Sequence, residues 1–242
     1  GKSTLIKILT GIYPKDGGQI YWCGEAVEIN NRNDATKLGI GVVYQELSLI
    51  PTLTVMQNVM LGNEESKLGF VDARKMRKQV QNLIDKYGFD VHPDATVETL
   101  TIAQRQTVEI LEALSKESKL IIMDEPTASL SAKESNALFE IVEQLRKDGV
   151  SVIYISHRLE EVYRLSDRLT VLRDGATEAV LNKEQIIPAD VVRLMIGKEL
   201  SEATASNNLR VSKAPVRLSV KDLSRKGVFR NISFDVHEGE IL

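Results

Sequence analysis

Leu120-Ile121-Ile122-Met123-Asp124-Glu125-Pro126-Thr127 is the stretch on which the fold turns. A short run of apolar residues ending abruptly on polar ones suits a strand buried in a parallel sheet, where no wet face imposes alternation. The run stops on two adjacent carboxylates. At the end of a buried strand such a pair suits two jobs, one beside a divalent cation and the other polarising a water. An ordinary Asp-Glu-Pro turn after a strand is the bland alternative, and the pair alone does not choose between them.

Outward from this run the chain alternates between strand and helix. Downstream, Ser131-x-x-Glu134 caps a helix carrying Leu138, Ile141, Val142 and Leu145, and Gly149 ends it. Val150 to Ile155 and Leu169 to Leu172 read as further buried strands. Upstream, Gln19 to Val27 is a β stretch opened by Gly17-Gly18, and Gly39 to Tyr44 is a strand leading into Gln45. This order predicts an α/β domain with a parallel sheet. Between Gln45 and the central run lies a helical insertion. Thr54-Val55-Met56-Gln57 is a capping box opening a short helix that ends near Gly62. Asp72 caps a longer helix with Met76, Val80, Leu83, Ile84 and Tyr87 on one face, closed by Gly88, and a third helix runs from about Ile102 to Leu114.

The first four residues, Gly1-Lys2-Ser3-Thr4, match the closing half of a phosphate-binding loop and lead into a helical pattern at Leu5, Ile8 and Leu9. In such loops backbone N–H groups cradle phosphates, the lysine reaches the outer phosphates and the hydroxyl holds Mg²⁺. The string is short and weak by itself. With no Met in front of it and no preceding strand, the chain reads as a piece of a longer nucleotide-handling protein.

Bulk composition narrows the class. Apolar residues make up 43% of 242, ample for a core. The 31 basic and 34 acidic side chains leave a net charge of −3, so no global field favours nucleic acid. One cysteine, Cys23, excludes an internal disulfide framework and reads as a half-buried strand residue beside Trp22. No stretch approaches the ~20 apolar residues that span a bilayer, and no signal peptide is visible, so a membrane role is expected through a partner. His92 and His237 have no motif around them and read as structural; on residue chemistry alone His157 is a strand-end histidine.

Five ordered motifs carry a resemblance. They are Gly1-Lys2-Ser3-Thr4, Val43-Tyr44-Gln45-Glu46, Leu100-Thr101-Ile102-Ala103-Gln104-Arg105-Gln106, Met123-Asp124-Glu125-Pro126-Thr127 and Ile155-Ser156-His157. In this order and spacing the chain resembles an ABC-transporter ATPase over essentially its whole length. Tyr154-Ile155-Ser156-His157-Arg158, Val171-Leu172-Arg173-Asp174-Gly175 and Leu194-Met195-Ile196-Gly197-Lys198-Glu199-Leu200 look like the tandem-domain subunits of bacterial monosaccharide importers. The resemblance implies a P-loop NTPase fold with a parallel core sheet, a helical subdomain over about 46–115 and a partial antiparallel β-subdomain. It divides the chain into a first ATPase domain over 1–200, a linker over 201–215 and the first strands of a second ATPase domain over 216–242.

The resemblance also assigns roles. Gly1, Lys2, Ser3 and Thr4 would hold the phosphates of ATP. Ser3, Asp124 and Gln45 would attend Mg²⁺. Glu125 would orient or deprotonate the attacking water, His157 would contact the outer phosphate, and Gln45 would relay nucleotide state to the membrane partner. Thr101 and Gln104 belong to the signature that completes another copy's site. Most relatives carry Leu-Ser-Gly-Gly-Gln there; Ile102 stands where a glycine lets backbone approach the ligand, while Thr101 keeps a hydroxyl at a helix start suited to phosphate.

The implied partners are integral-membrane permease subunits, indirectly a periplasmic sugar-binding protein, and the second ABC domain of the same chain, with no nucleic acid. The implied location is the cytoplasmic face of the bacterial inner membrane. A soluble ABC ATPase acting on ribosomes or DNA, or a non-hydrolysing regulatory module, are the alternatives. A mixed charge and a short linker disfavour the first, and the full Asp124-Glu125-His157 set disfavours the second. The 1–242 piece by itself is expected to turn over little ATP.

Overall fold

The computed structural model describes residues 1–45, 47–64, 66–67, 70–196, 214–225, 227 and 229–239. Glu46, the stretch from Gly197 to Leu200, most of the expected linker and the Glu240-Ile241-Leu242 strand start lie outside the described residues. The chain divides into two compact units, Gly1–Pro188 and Ala189–Leu242.

In order, the elements are α1 (Lys2–Leu9), β1 (Ile20–Trp22), β2 (Glu25–Val27), α2 (Arg32–Lys37), β3 (Ile40–Val43), α3 (Val55–Met60), β4 (Ser66–Lys67), β5 (Phe70–Val71), α4 (Ala73–Tyr87) and α5 (Ile102–Ser115). They continue with β6 (Leu120–Asp124), α6 (Ala132–Lys147), β7 (Ser151–Ile155), α7 (Leu159–Leu165), β8 (Arg168–Arg173), β9 (Ala176–Asn182), α8 (Pro188–Ile196), β10 (Val216–Arg225) and β11 (Phe229–His237).

The central apolar run is the middle strand of a parallel sheet ordered β3-β6-β7. Its side chains alternate between two cores. Ile121 and Met123 enter one with Val43, Leu111, Leu138 and Leu145, while Ile122 enters the other with Ile6, Ile29, Ala35 and Ile40. Burial on both faces explains why β6 shows no polar alternation. At roughly 1.5–3 kcal/mol per fully buried aliphatic side chain, this strand anchors both layers. β7 is an outer strand among the described residues, and Ile153 on it is exposed, so Val150 to Ile155 is half-buried rather than buried as expected.

The helical insertion shares the first core: Val55, Val59, Met76, Val80 and Ile84 pack in one cluster with Val43 and Met123. Its ends are fixed locally, as the capping residues predict. Thr54 and Gln57 form a reciprocal box, Asp72 accepts from the Lys75 N–H, and Gly88 closes α4 at φ 68°. Gly41 lets α5 approach β3, because a Cβ there would lie 2.6 Å from Ser118 Oγ and 3.0 Å from the Ala113 Cβ.

Two expectations need correction. Leu169 to Leu172 does form a strand, β8, but it pairs antiparallel with β9 in a separate two-stranded sheet. The Asp174-Gly175 pair, both at positive φ, makes the tight turn that folds the chain back at once. Cys23 is likewise not a strand residue: it sits exposed beside Gly24 in the β1–β2 turn, again with both φ positive. In the second unit β10 and β11 form an antiparallel pair.

Candidate functional site

Parallel pairing brings the carboxyl ends of β3, β6 and β7 to one edge. Val43 is opposite Met123, which is opposite Tyr154, so Gln45, Glu125 and Ser156 stand two residues beyond a common level. Ligands of open parallel sheets bind outside this edge. Gln45 is exposed there, at the bend that follows β3.

Glu125 is the best-defined residue of the edge. Its backbone N–H donates to the Ile155 carbonyl at 2.9 Å, extending the β6–β7 ladder one step past Asp124. It then turns at φ 48°, a left-handed conformation uncommon for a residue with a Cβ. This turn carries its carboxylate to His157, whose Nδ1 lies 3.2 Å from Glu125 Oε1. The imidazole is largely exposed and the carboxylate mostly covered.

Asp124 is half-buried at the strand end. Burial, and then the neighbouring charge of Glu125, push its carboxyl above the usual carboxylate range, while the Lys2 ammonium pulls it down. The Lys2 charge thus acts on Asp124. Lys2, Ser3 and Thr4 form the exposed first turn of α1, and no side chain caps that turn from Gly1. The leading N–H groups of a helix left without a cap suit an anion.

Asp124, Glu125 and His157 therefore come together, with Lys2 near enough for its charge to act on Asp124 and Gln45 on the same edge. Thr101 and Gln104 belong elsewhere, at the start of α5. There the Thr101 hydroxyl accepts from the Gln104 N–H at 3.3 Å, and the Gln104 side chain accepts from the Thr101 N–H at 3.1 Å and donates to the Asp90 carbonyl at 3.0 Å. His92 is exposed, 3.8 Å from Asp94.

Two buried acids were not singled out by the sequence reading. Glu109 on α5 accepts from the Ser48 N–H at 2.6 Å and the Ser48 hydroxyl at 3.1 Å, tying the loop after Gln45 to the helix. Glu161 on α7 is 6% exposed and accepts from Thr127, Tyr154, Ser156 and Arg158. Burial works to raise the Glu161 carboxyl, but these four donors outweigh it and hold it below the usual range. The available signal was a charge set among Leu159, Val162 and Leu165, on the face that α7 buries.

Among the described residues no group of His, Cys, Asp and Glu forms a metal cluster, and no helix is long and apolar enough to cross a membrane.

Comparison with known proteins agrees with this geometry. The family described as ABC transporter matches residues 1–128. Ribose import ATP-binding protein RbsA 3 of Rubrobacter xylanophilus is 42% identical over all of this chain and 48% of its own length. The RbsA of Geobacillus kaustophilus is 40% identical, over all of this chain and 49% of its own. A putative ribose/galactose/methyl galactoside import ATP-binding protein of Burkholderia cenocepacia is 39% identical, with 46% of its length covered. The chain thus spans about half the length of the curated relatives it matches. A crystal structure of a nucleotide-free ATP-binding cassette from an ABC transporter superposes with a TM-score of 0.71 at 25% identity, covering 82% of this chain and 84% of that one.

Proposed function

Because the chain belongs to the ABC transporter family, we propose that it is the ATP-binding and ATP-hydrolysing part of a subunit that powers monosaccharide import. The observation that carries this reading is the pairing of Glu125 with His157 at the carboxyl edge of the parallel sheet, beside Asp124 and Lys2. The names of the relatives, ribose and galactose import ATP-binding proteins, supply the substrate class.

Phosphoryl transfer to water asks the protein mainly for positioning and charge stabilisation. In this reading Lys2 and the first N–H groups of α1, with Gly1, Ser3 and Thr4, hold the phosphates. Glu125 orients the attacking water and takes up its proton, and His157, held against Glu125, contacts the outer phosphate. The residues present also fit a divalent cation. Asp124 and Glu125 are adjacent carboxylates, the Lys2 charge pulls against burial at Asp124, and burial makes the ionised Asp124 costly. Mg²⁺ beside Asp124, Ser3 and Gln45 would remove that cost and neutralise charge developing on the phosphates.

Thr101 and Gln104 are proposed to face the nucleotide of a second ABC domain in the same protein, through the start of α5. The loop from Gln45 to Ser48, bonded to Glu109, is proposed to pass nucleotide state to α5 and so toward the permease. The subunit is proposed to sit at the cytoplasmic face of the inner membrane, and the periplasmic sugar-binding protein to act on it only indirectly, through that permease. Residues 1–200, 201–215 and 216–242 are taken as first domain, linker and the opening of a second domain.

Reconstitution of the full-length subunit with its permease and binding protein tests this reading. Sugar uptake that needs ATP and ceases with Lys2→Ala supports it; uptake that persists without ATP contradicts it.

A further inference from the structure

We propose that Glu161 is a positioning residue that locks Glu125 and His157 into register with each other. The inference rests on Glu125 and His157 being the hydrolytic pair proposed above. Glu161 hydrogen-bonds instead to Thr127, Tyr154, Ser156 and Arg158. Glu125 and His157 are reached from it through two arms of hydrogen bonds that close on the 3.2 Å Glu125–His157 contact.

The first arm runs through Thr127, which is 1% exposed. Its hydroxyl lies 2.7 Å from Glu161 Oε1 and 2.8 Å from Oε2. Thr127 is the third residue of the turn that Glu125 opens and the Ala128 N–H closes on the Glu125 carbonyl, and its own carbonyl accepts from the Leu130 N–H, both at 3.1 Å. Fixing Thr127 therefore fixes the turn in which Glu125 holds its left-handed backbone.

The second arm runs through Ser156. Its hydroxyl donates to Glu161 Oε2 at 2.9 Å and accepts from the Arg158 N–H at 2.9 Å, so one hydroxyl closes the turn around His157. Arg158 adds a guanidinium contact to Oε1 at 3.2 Å, and the Tyr154 hydroxyl donates to Oε2 at 3.0 Å from within β7.

Among the described residues, each hydrogen-bond partner of the carboxylate donates to it. Two ionised oxygens offer about four lone-pair sites, and Thr127, Tyr154, Ser156 and Arg158 fill them. A glutamine would replace one acceptor oxygen with a second donor facing hydroxyls that are themselves oriented to donate. A buried ionised carboxylate is an expensive way to fill space. Here it joins the loop after β6 to the loop after β7, the two loops whose relative placement sets the reacting geometry. Small misplacements of reacting groups cost large factors in rate.

The test measures steady-state ATP turnover and the thermal unfolding midpoint of the full-length subunit, as wild type, Thr127→Val, Ser156→Ala, Glu161→Asp, Glu161→Gln and the Thr127→Val/Glu161→Gln double variant. Thr127→Val and Glu161→Gln are expected to lower kcat roughly ten- to a hundredfold with KM for ATP unchanged. The double variant should be no slower than Glu161→Gln alone, because both cut the same arm. Glu161→Asp should regain part of the rate. If Glu161→Gln does not fold, Thr127→Val and Ser156→Ala carry the test, each with a fall in kcat at unchanged KM. Folded variants with wild-type kcat, losses that multiply in the double variant, or losses that appear in KM overturn the proposal. A wild type without turnover would instead sink the hydrolytic reading itself, whereas turnover sensitive to Glu125→Gln but indifferent to Thr127 and Glu161 sinks this inference alone.

Discussion

His157 Nδ1 stands 3.2 Å from Glu125 Oε1, across the ends of two neighbouring parallel strands. The contact joins a mostly covered carboxylate to an imidazole that is 62% exposed. An exposed side chain carries little of the fold's stability, whereas a reacting pair carries the rate. His157→Ala is therefore expected to lower ATP turnover of the full-length subunit about a hundredfold. Its effect on stability should stay within about 0.5 kcal/mol. Turnover and urea unfolding measured on the same preparation check both halves.

Glu109 sets a pH dependence. Burial raises its carboxyl above the ordinary range, against the lowering pull of the Ser48 N–H, with the charge of Glu112 adding to the rise. The folded chain thus keeps this proton to a higher pH than the unfolded chain does. Between those two values the folded state binds more protons, so this group's contribution to stability falls as pH rises through the window. Glu109→Gln keeps an acceptor for Ser48 and removes the titration. Its urea midpoint should exceed that of wild type near neutrality, with the advantage fading on acidification. An advantage that grows toward acid would show the sign to be wrong.

Gly41 is predicted to be intolerant of a side chain. An added Cβ meets Ser118 Oγ at 2.6 Å and the Ala113 Cβ at 3.0 Å, between β3 and the end of α5. Gly41→Ala should cost about 1–3 kcal/mol by overpacking. Gly17, with nothing within 4 Å of an added Cβ, is the control, and Gly17→Ala should change stability by less than about 0.5 kcal/mol. Denaturant titration of the two variants compares them directly.

Thr101 caps α5 through its hydroxyl and a reciprocal Gln104. Thr101→Ala should cost ~1 kcal/mol, and Thr101→Ser should restore most of it. Thermal unfolding of the three proteins reads this. Equal midpoints for Ala and Thr would show that the box contributes nothing.

What the sequence made legible follows from how local each signal is. The β6 run, the caps at Thr54, Asp72 and Ser131 and the stop at Gly88 are written in neighbouring residues, and each lies where the pattern puts it. The placement of Leu169 to Leu172 in the parallel sheet failed because strand character says nothing of the partner. The Asp174-Gly175 turn decided that, and the same kind of turn took Cys23 out of a strand. Asp124, Glu125 and His157 were found as motif residues. Glu161 was not: Tyr154, Ser156 and Arg158 lie within seven residues of it, but Thr127 comes from the loop after β6, and only the β6–β7 pairing brings that loop to α7.

Hydrolysis of ATP at the β6–β7 edge is proposed to run through Glu125. The most direct test is ATP turnover and Mg-ATP binding by the full-length subunit carrying Glu125→Gln, an exchange that keeps the side chain's shape and removes its basicity. Turnover lower by roughly 10²–10⁴-fold with nucleotide affinity retained is the predicted result. Turnover at the wild-type rate with Glu125→Gln would contradict the account.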